Sequence, residues 1–224
     1  MKNLVLACAF IVGAFAHAPK DLTVITYLAS DKEDLRPLPK NLQDYPQILI
    51  VDGPKSQSKQ FNGFDHVIQL DQRLYPALAI EKTLDHIQTP IFYFHYNSNQ
   101  VLQPIDVEGT IRTMIANEKI KHIRINPRKN APGQFRDKRI DTRIVGESFV
   151  PLLRVYDWVD SDHFSQKEHF VAWIIPKMPW PWRIECVLYK QIQRQLSRRP
   201  DEHDKFGLYL YGQLYDEPYI QRLY

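Results

Sequence analysis

The order in which the hydrophobic period changes between residues 22 and 125 limits this chain to very few folds. Leu22 to Leu28 and Gln47 to Val51 are β-branched, apolar runs of strand length, and the second stops at the turn signal Asp52-Gly53-Pro54. His66 to Leu70 is a third strand. Leu74, Ala77, Leu78, Leu84 and Ile87 then recur at helical spacing, and Pro90 closes that segment before the apolar strand Ile91 to His95. Asp106 can cap a second helix with Val107, Ile111, Met114 and Ile115 on one face, and Ile120 to Ile125 returns as a strand. Repeated alternation of this kind predicts the α/β class: a single domain whose mostly parallel central sheet is flanked by helices.

The connecting and C-terminal segments are read the same way. Residues 31–46 are polar and broken by Pro37 and Pro39, which allows a loop or one short helical turn. Ile184, Leu188, Ile192 and Leu196 predict a helix ending near Arg198-Arg199-Pro200, and Gly207 to Gly212 predicts a final strand. Asp201-Glu202-His203-Asp204 follows a proline and reads as a solvated loop. Trp173 is expected in the core, and His95, on an apolar strand, as a hydrogen-bonded interior residue.

Several chemistries are excluded. The chain has only 8 Gly, and neither G-x-G-x-x-G nor G-x-x-x-x-G-K-[ST] occurs, so no glycine-rich turn exists to cradle a phosphate. Cys8 and Cys186 are far apart and H-E-x-x-H is absent, which removes the common zinc sites. Lys2, the uncharged run Leu4 to Ala16 and the small-x-small pattern Ala16-His17-Ala18 predict a cleaved signal peptide over residues 1–18, leaving a domain over 19–224. That places the protein in the secretory pathway, in the ER or Golgi lumen or outside the cell. An uncleaved type II membrane anchor is the alternative; after cleavage no stable membrane span is expected. The net charge of +3 is too small to imply a nucleic-acid partner. The basic side chains instead gather between Lys119 and Arg143, where only Asp137 and Asp141 oppose them, and this segment reads either as a solvated loop or as a site for phosphate or diphosphate.

The layout from Thr23 to Arg124 resembles the nucleotide-sugar half of GT-A glycosyltransferases. Ile48-Leu49-Ile50-Val51-Asp52-Gly53 is similar to that family's apolar strand ending in an acid, and Ile91-Phe92-Tyr93-Phe94-His95 stands where its chain descends to an Asp-x-Asp metal motif. A narrower resemblance is to viral, algal and bacterial members. It rests on Val101-Leu102-Gln103-Pro104-Ile105-Asp106, on His122-Ile123-Arg124-Ile125-Asn126-Pro127-Arg128, and on Tyr209-Leu210-Tyr211-Gly212 with Pro218-Tyr219-Ile220. At the metal position, however, the chain reads His95-Tyr96-Asn97-Ser98-Asn99, with no carboxylate. An Asn side chain offers only a neutral oxygen to Mg²⁺ or Mn²⁺, so N-x-N, a degenerate form of the motif, does not replace D-x-D at equal affinity.

The resemblance implies a protein that transfers a sugar from a nucleotide-sugar donor to a hydroxyl of a glycan or glycoprotein, with or without Mn²⁺ or Mg²⁺. The alternative is an inactive GT-A-like module that binds carbohydrate or a partner. On the first reading Asp52 contacts the nucleoside, Asn97 and Asn99 occupy the metal position, and Arg128 and Lys129 hold diphosphate as cations in place of a metal. Asp160, Asp162, His163 and Trp182 face the acceptor, with Asp160 and Asp162 as a second-choice metal site. Glu185, at the start of the C-terminal helix, is the candidate general base. Its competing role is to complement the helix dipole. Arg222 is a further candidate phosphate contact.

Overall fold

The computed structural model describes residues 21–30, 34–54, 60–131, 140–141, 148–156, 158, 161–177 and 184–223. Strand β1 is Leu22–Leu28 and β2 is Gln47–Val51; every residue of both is buried, as expected of strands covered on two faces. A single helical turn, α1 (Lys40–Gln43), lies between them, and β3 is His66–Gln69. Helix α2 (Tyr75–Glu81) leads to β4 (Ile91–Tyr96), and the short β5 (Asn99–Val101) follows. Helix α3 (Val107–Ala116) leads to β6 (His122–Arg124). Short strands β7 (Ile140–Asp141), β8 (Leu152–Val155) and β9 (His163–Gln166) precede helices α4 (Lys167–His169) and α5 (Ile184–Arg198). Helix α6 (His203–Phe206), β10 (Leu208–Tyr211) and β11 (Ile220–Arg222) complete the order.

The main sheet has the order β3-β2-β1-β4-β9-β6-β10-β8-β7. Register shows that β3, β2, β1 and β4 are mutually parallel and that β6 and β10 share their direction, while β9 runs antiparallel between β4 and β6. Strand β8 is also reversed. The α/β class is therefore correct and the sheet is mixed. Alternate residues of each strand feed opposite cores. Leu22 and Val24 of β1, Ile91 and Tyr93 of β4 and Ile123 of β6 pack with Ile111 and Met114 of α3. Ile25, Tyr27, Phe92 and Phe94 pack on the other side with Ala77 and Ile80 of α2 and Leu188, Ile192 and Leu196 of α5.

Four expectations change. The helix foreseen over residues 74–87 ends at Glu81, because buried Thr83 turns its hydroxyl onto the Ile80 carbonyl at 2.7 Å, and only a 3₁₀ turn, Leu84–His86, follows. Asp106 does cap α3, accepting from Gly109 N at 2.8 Å, and Val107, Ile111 and Met114 are buried, but Ile115 is 50% exposed. The segment 201–204 is no solvated loop, since Glu202 and His203 are buried, and His203 Nε2 lies 2.9 Å from the Leu208 carbonyl and 3.1 Å from that of Val155. Finally, β10 is not terminal: β11 follows and pairs antiparallel with β5, Arg222 opposite Asn99.

Candidate active site

From β1 the chain moves to β2 and β3 on one side and returns to β4 on the other, so a topological switch point lies between β1 and β4. Open α/β sheets place ligands at such a point, outside the carboxyl ends of the strands. A cleft of about 710 Å³ is found there, on the side of the sheet covered by α3. One wall is the segment from Arg36 to Leu42, which follows β1; the other runs from His95 and Asn99 to Ile105. Asn41 Nδ2 donates to the Ile105 carbonyl at 2.8 Å and ties the walls together. That volume lies in the range typical of small-ligand sites.

The floor is organised by Asp162, the residue before β9, which is fully buried. Because β9 is wedged between β4 and β6 with His163 opposite both Phe94 and Arg124, Asp162 sits level with His95. Its Oδ2 is 2.7 Å from His95 Nδ1 and accepts from Tyr93 Oη at 3.2 Å. Its Oδ1 accepts from Asn99 Nδ2 at 2.6 Å and from the Tyr96 amide at 3.1 Å. Burial, with the Asp162 charge beside it, pushes the Tyr93 phenol well above its ordinary value and keeps it a donor. A carboxylate on Nδ1 fixes the orientation of the imidazole and leaves Nε2 as its chemically active nitrogen, and His95 lines the cleft.

The proposed nucleoside and metal-position residues are held as follows. Asp52, ending β2, is buried and caps α2: it accepts from Tyr27 Oη, from Leu74 N at 2.7 Å and from Tyr75 N at 2.9 Å. Asn97 clamps the segment after β1 to the end of β4, donating to the Asp34 carbonyl and accepting from Arg36 N, both at 3.0 Å. Asn99 reaches the cleft and is anchored on Asp162. These residues do not suit a divalent cation. The Asn oxygens are neutral, both Asp162 oxygens are engaged by donors, and no group of three or more His, Cys, Asp or Glu able to hold a metal occurs among the described residues.

Asp162 and His163 are consecutive in an extended chain and so face opposite sides of the sheet. His163 is fully buried among Phe92, Phe94 and His122, away from the cleft, with Nδ1 2.6 Å from the Ser161 carbonyl. Arg128 and Lys129 are not in the cleft lining among the described residues, and Lys129 pairs with Glu217 at 2.6 Å. The cleft's cations are instead Arg36 and Lys40, which the sequence reading missed. Their available signal was a charge at each end of the stiff run Arg36-Pro37-Leu38-Pro39-Lys40. Glu185 belongs to the first turn of α5. Asp160 and Trp182 lie outside the described residues.

Asn99→Asp, the change that would restore an acid at the metal position, is expected to destabilise the fold. It would set a second carboxylate where Nδ2 now sits 2.6 Å from Asp162 Oδ1, exchanging a hydrogen bond for like-charge contact. A loss of about 2 kcal/mol is expected in urea unfolding at pH 7.5. Mn²⁺ should not recover it; full recovery by metal would show that a divalent site can form here.

The order of strands and the cleft at their carboxyl ends define a GT-A-like fold. No protein-family model matches the sequence, and no curated protein matches it. Solved structures do. The chain is similar to S. aureus TarS residues 1–349 in complex with UDP, at 9% identity and a TM-score of 0.51, covering 91% of this chain and 60% of that one. The same protein in complex with UDP-GlcNAc matches at 12% identity and a TM-score of 0.50, covering 91% and 58%. GalNAc-T7 with UDP, GalNAc and Mn²⁺ matches at 11% identity and a TM-score of 0.51, covering 92% and 44%. These neighbours are GT-A glycosyltransferases, and at such identities the likeness establishes the fold. The chain spans 60% or less of their lengths.

Proposed function

We propose that this chain binds a nucleotide sugar in the cleft between β1 and β4 and transfers the sugar, without a divalent metal, to a hydroxyl of a glycan or glycoprotein in the secretory pathway. The observation that carries this reading is the cleft at the switch point of a fold whose solved neighbours were crystallised with UDP and with UDP-GlcNAc. Arg36 and Lys40 supply positive charge to a bound diphosphate. Fixed cations can stabilise a departing diphosphate as a metal would, provided they are positioned before reaction. His95, oriented by Asp162, and Asn99 offer directional hydrogen bonds from the opposite wall. Glu185 is the proposed base for the acceptor hydroxyl, with Asp160 and Trp182 on the acceptor side.

A second reading, a binding module without turnover, is favoured by one observation: Asn97 is taken up in holding the Asp34 to Arg36 segment and Asn99 in holding Asp162. Calorimetric titration with UDP and a panel of UDP-sugars, with and without Mn²⁺, separates the two together with a transfer assay. Saturable binding that Mn²⁺ leaves unchanged, with transfer abolished in Glu185→Gln, is the expected result. Binding without transfer would select the module, and absence of binding to every nucleotide would remove the transferase reading.

A further inference from the structure

The basic segment singled out in the sequence does not form a free cationic surface in its described part. Lys119 pairs with Asp204 at 2.9 Å, Lys129 with Glu217 at 2.6 Å, and Arg124 is buried in β6. Exposed positive charge collects elsewhere, on α5 and the turn that follows it. Lys190, Arg194 and Arg198 recur every four residues on the side of α5 away from its buried Leu188, Ile192 and Leu196. Together with Arg199, Lys205 and Glu202 they line an open groove of about 790 Å³. It lies beside the turn that enters β10, where Lys121 Nζ donates to the Lys205 carbonyl at 3.2 Å just before β6 begins. This is the edge of the sheet at which β6 and β10 start, opposite the edge that carries the nucleotide cleft.

Glu202 does not neutralise the groove. Its buried carboxylate accepts from Gln195 Nε2 at 2.6 Å and pairs with Arg199 at 2.7 Å and Lys205 at 3.1 Å. The Gln195 hydrogen bond first, and the neighbouring cations with it, hold its pKa below the usual carboxylate value. Glu202 thus braces two cations in place, while Lys190, Arg194 and Arg198 meet no carboxylate among the described residues. Like charges at a spacing of four destabilise a helix, so the stripe is a cost to folding that a bound anion would remove. The three side chains mark out a line about 12 Å long, with a charge roughly every 6 Å.

We propose that this groove binds a sulfated polysaccharide. A linear polyanion fits a straight, concave row of cations, and the glutamines among them can hydrogen-bond its sulfates and hydroxyls. Among the described residues, no aromatic side chain lines the groove on which a nucleic-acid base could stack, and no apolar one that could enter a bilayer. The site is independent of the nucleotide cleft and of whether transfer occurs there.

The test is titration of the full chain with a heparin octasaccharide at several salt concentrations, beside an oligothymidylate of equal charge and vesicles containing phosphatidylserine. The expected result is saturable octasaccharide binding with a log–log salt slope of about −3. The triple variant Lys190→Ser, Arg194→Ser, Arg198→Ser should lose about tenfold or more in affinity while keeping the far-ultraviolet circular dichroism of the folded protein. Lys119→Ser with Lys129→Ser should leave the affinity unchanged. Equal binding by the triple variant would overturn the assignment, as would absence of octasaccharide binding or an equal or higher affinity for oligothymidylate or vesicles.

Discussion

Replacing Asp162 by alanine is expected to lower stability by about 3–5 kcal/mol. The carboxylate is fully buried and is met by the Asn99 amide, the Tyr96 backbone N–H, the Tyr93 hydroxyl and His95 Nδ1. Removing it strands those groups at the largely buried floor of the cleft, and each stranded group carries its own desolvation penalty. Asp162→Asn keeps the volume but turns an amide donor toward one of these neighbours, so its loss should be smaller, about 2 kcal/mol. Urea unfolding of the two variants at pH 7.5 checks the order. The cleft supplies a second readout. His95 and Asn99 both lose their anchor in Asp162→Ala, so at a temperature where the variant is still folded its affinity for UDP should fall as well. A loss under 1 kcal/mol would mean that the network contributes little to the fold.

The elements that sequence exposed and those it hid differ in a definite way. Leu22–Leu28, Gln47–Val51 and Ile91–Tyr96 were legible because strands buried on both faces need unbroken apolar runs. Helix α5 was legible because Leu188, Ile192 and Leu196 repeat against polar neighbours. Strand β9 was not, because His163-Phe164-Ser165-Gln166 holds one apolar residue, and what makes it a strand is the gap between β4 and β6 that it fills. No local pattern encodes a gap formed by residues about seventy and forty positions earlier. The site divides in the same way. In sequence Asp162 groups with Asp160 and His163 as an acceptor-side cluster, and its meeting with His95 and Asn99 follows only from the register of β9 on β4. Conversely, Arg128 and Lys129 drew attention through local charge density, whereas Arg36 and Lys40 reach the cleft because the segment after β1 must fold back over the switch point. Charge density along a chain measures solvation as much as function, and tertiary placement decides between them.

Mild acid is expected to begin destabilising this protein before its carboxylates titrate, because three histidines are buried uncharged. Burial pushes His163 down from 6.5 to about 4, against a smaller upward pull from its hydrogen bond to Ser161. Burial and the charges of Lys121 and Lys177 push His169 down to about 3. Burial and the neighbouring Arg154 push His203 down to about 4. In each case the folded pKa is below the unfolded one, so between these values the unfolded chain binds more protons and stability rises with pH. The stabilisation is complete above pH 6.5 and is lost as the pH falls through about 4 for His163 and His203 and about 3 for His169. Each shift corresponds to roughly 3 kcal/mol or more, and even with allowance for relaxation and water entry the sum is on the order of 5 kcal/mol. Guanidinium midpoints should therefore fall steadily between pH 6.5 and 4.5. Asp204, held below the usual value by its hydrogen bond to Lys119, adds to the loss only at lower pH. His163→Leu and His169→Leu identify the source: each keeps an interior group of similar bulk that cannot take up a proton, so each should flatten the pH dependence whether it raises or lowers stability at pH 7.5. A slope between pH 6.5 and 4.5 that both variants leave unchanged would mean that these imidazoles find water or a partner when they charge, and that acid acts through other groups.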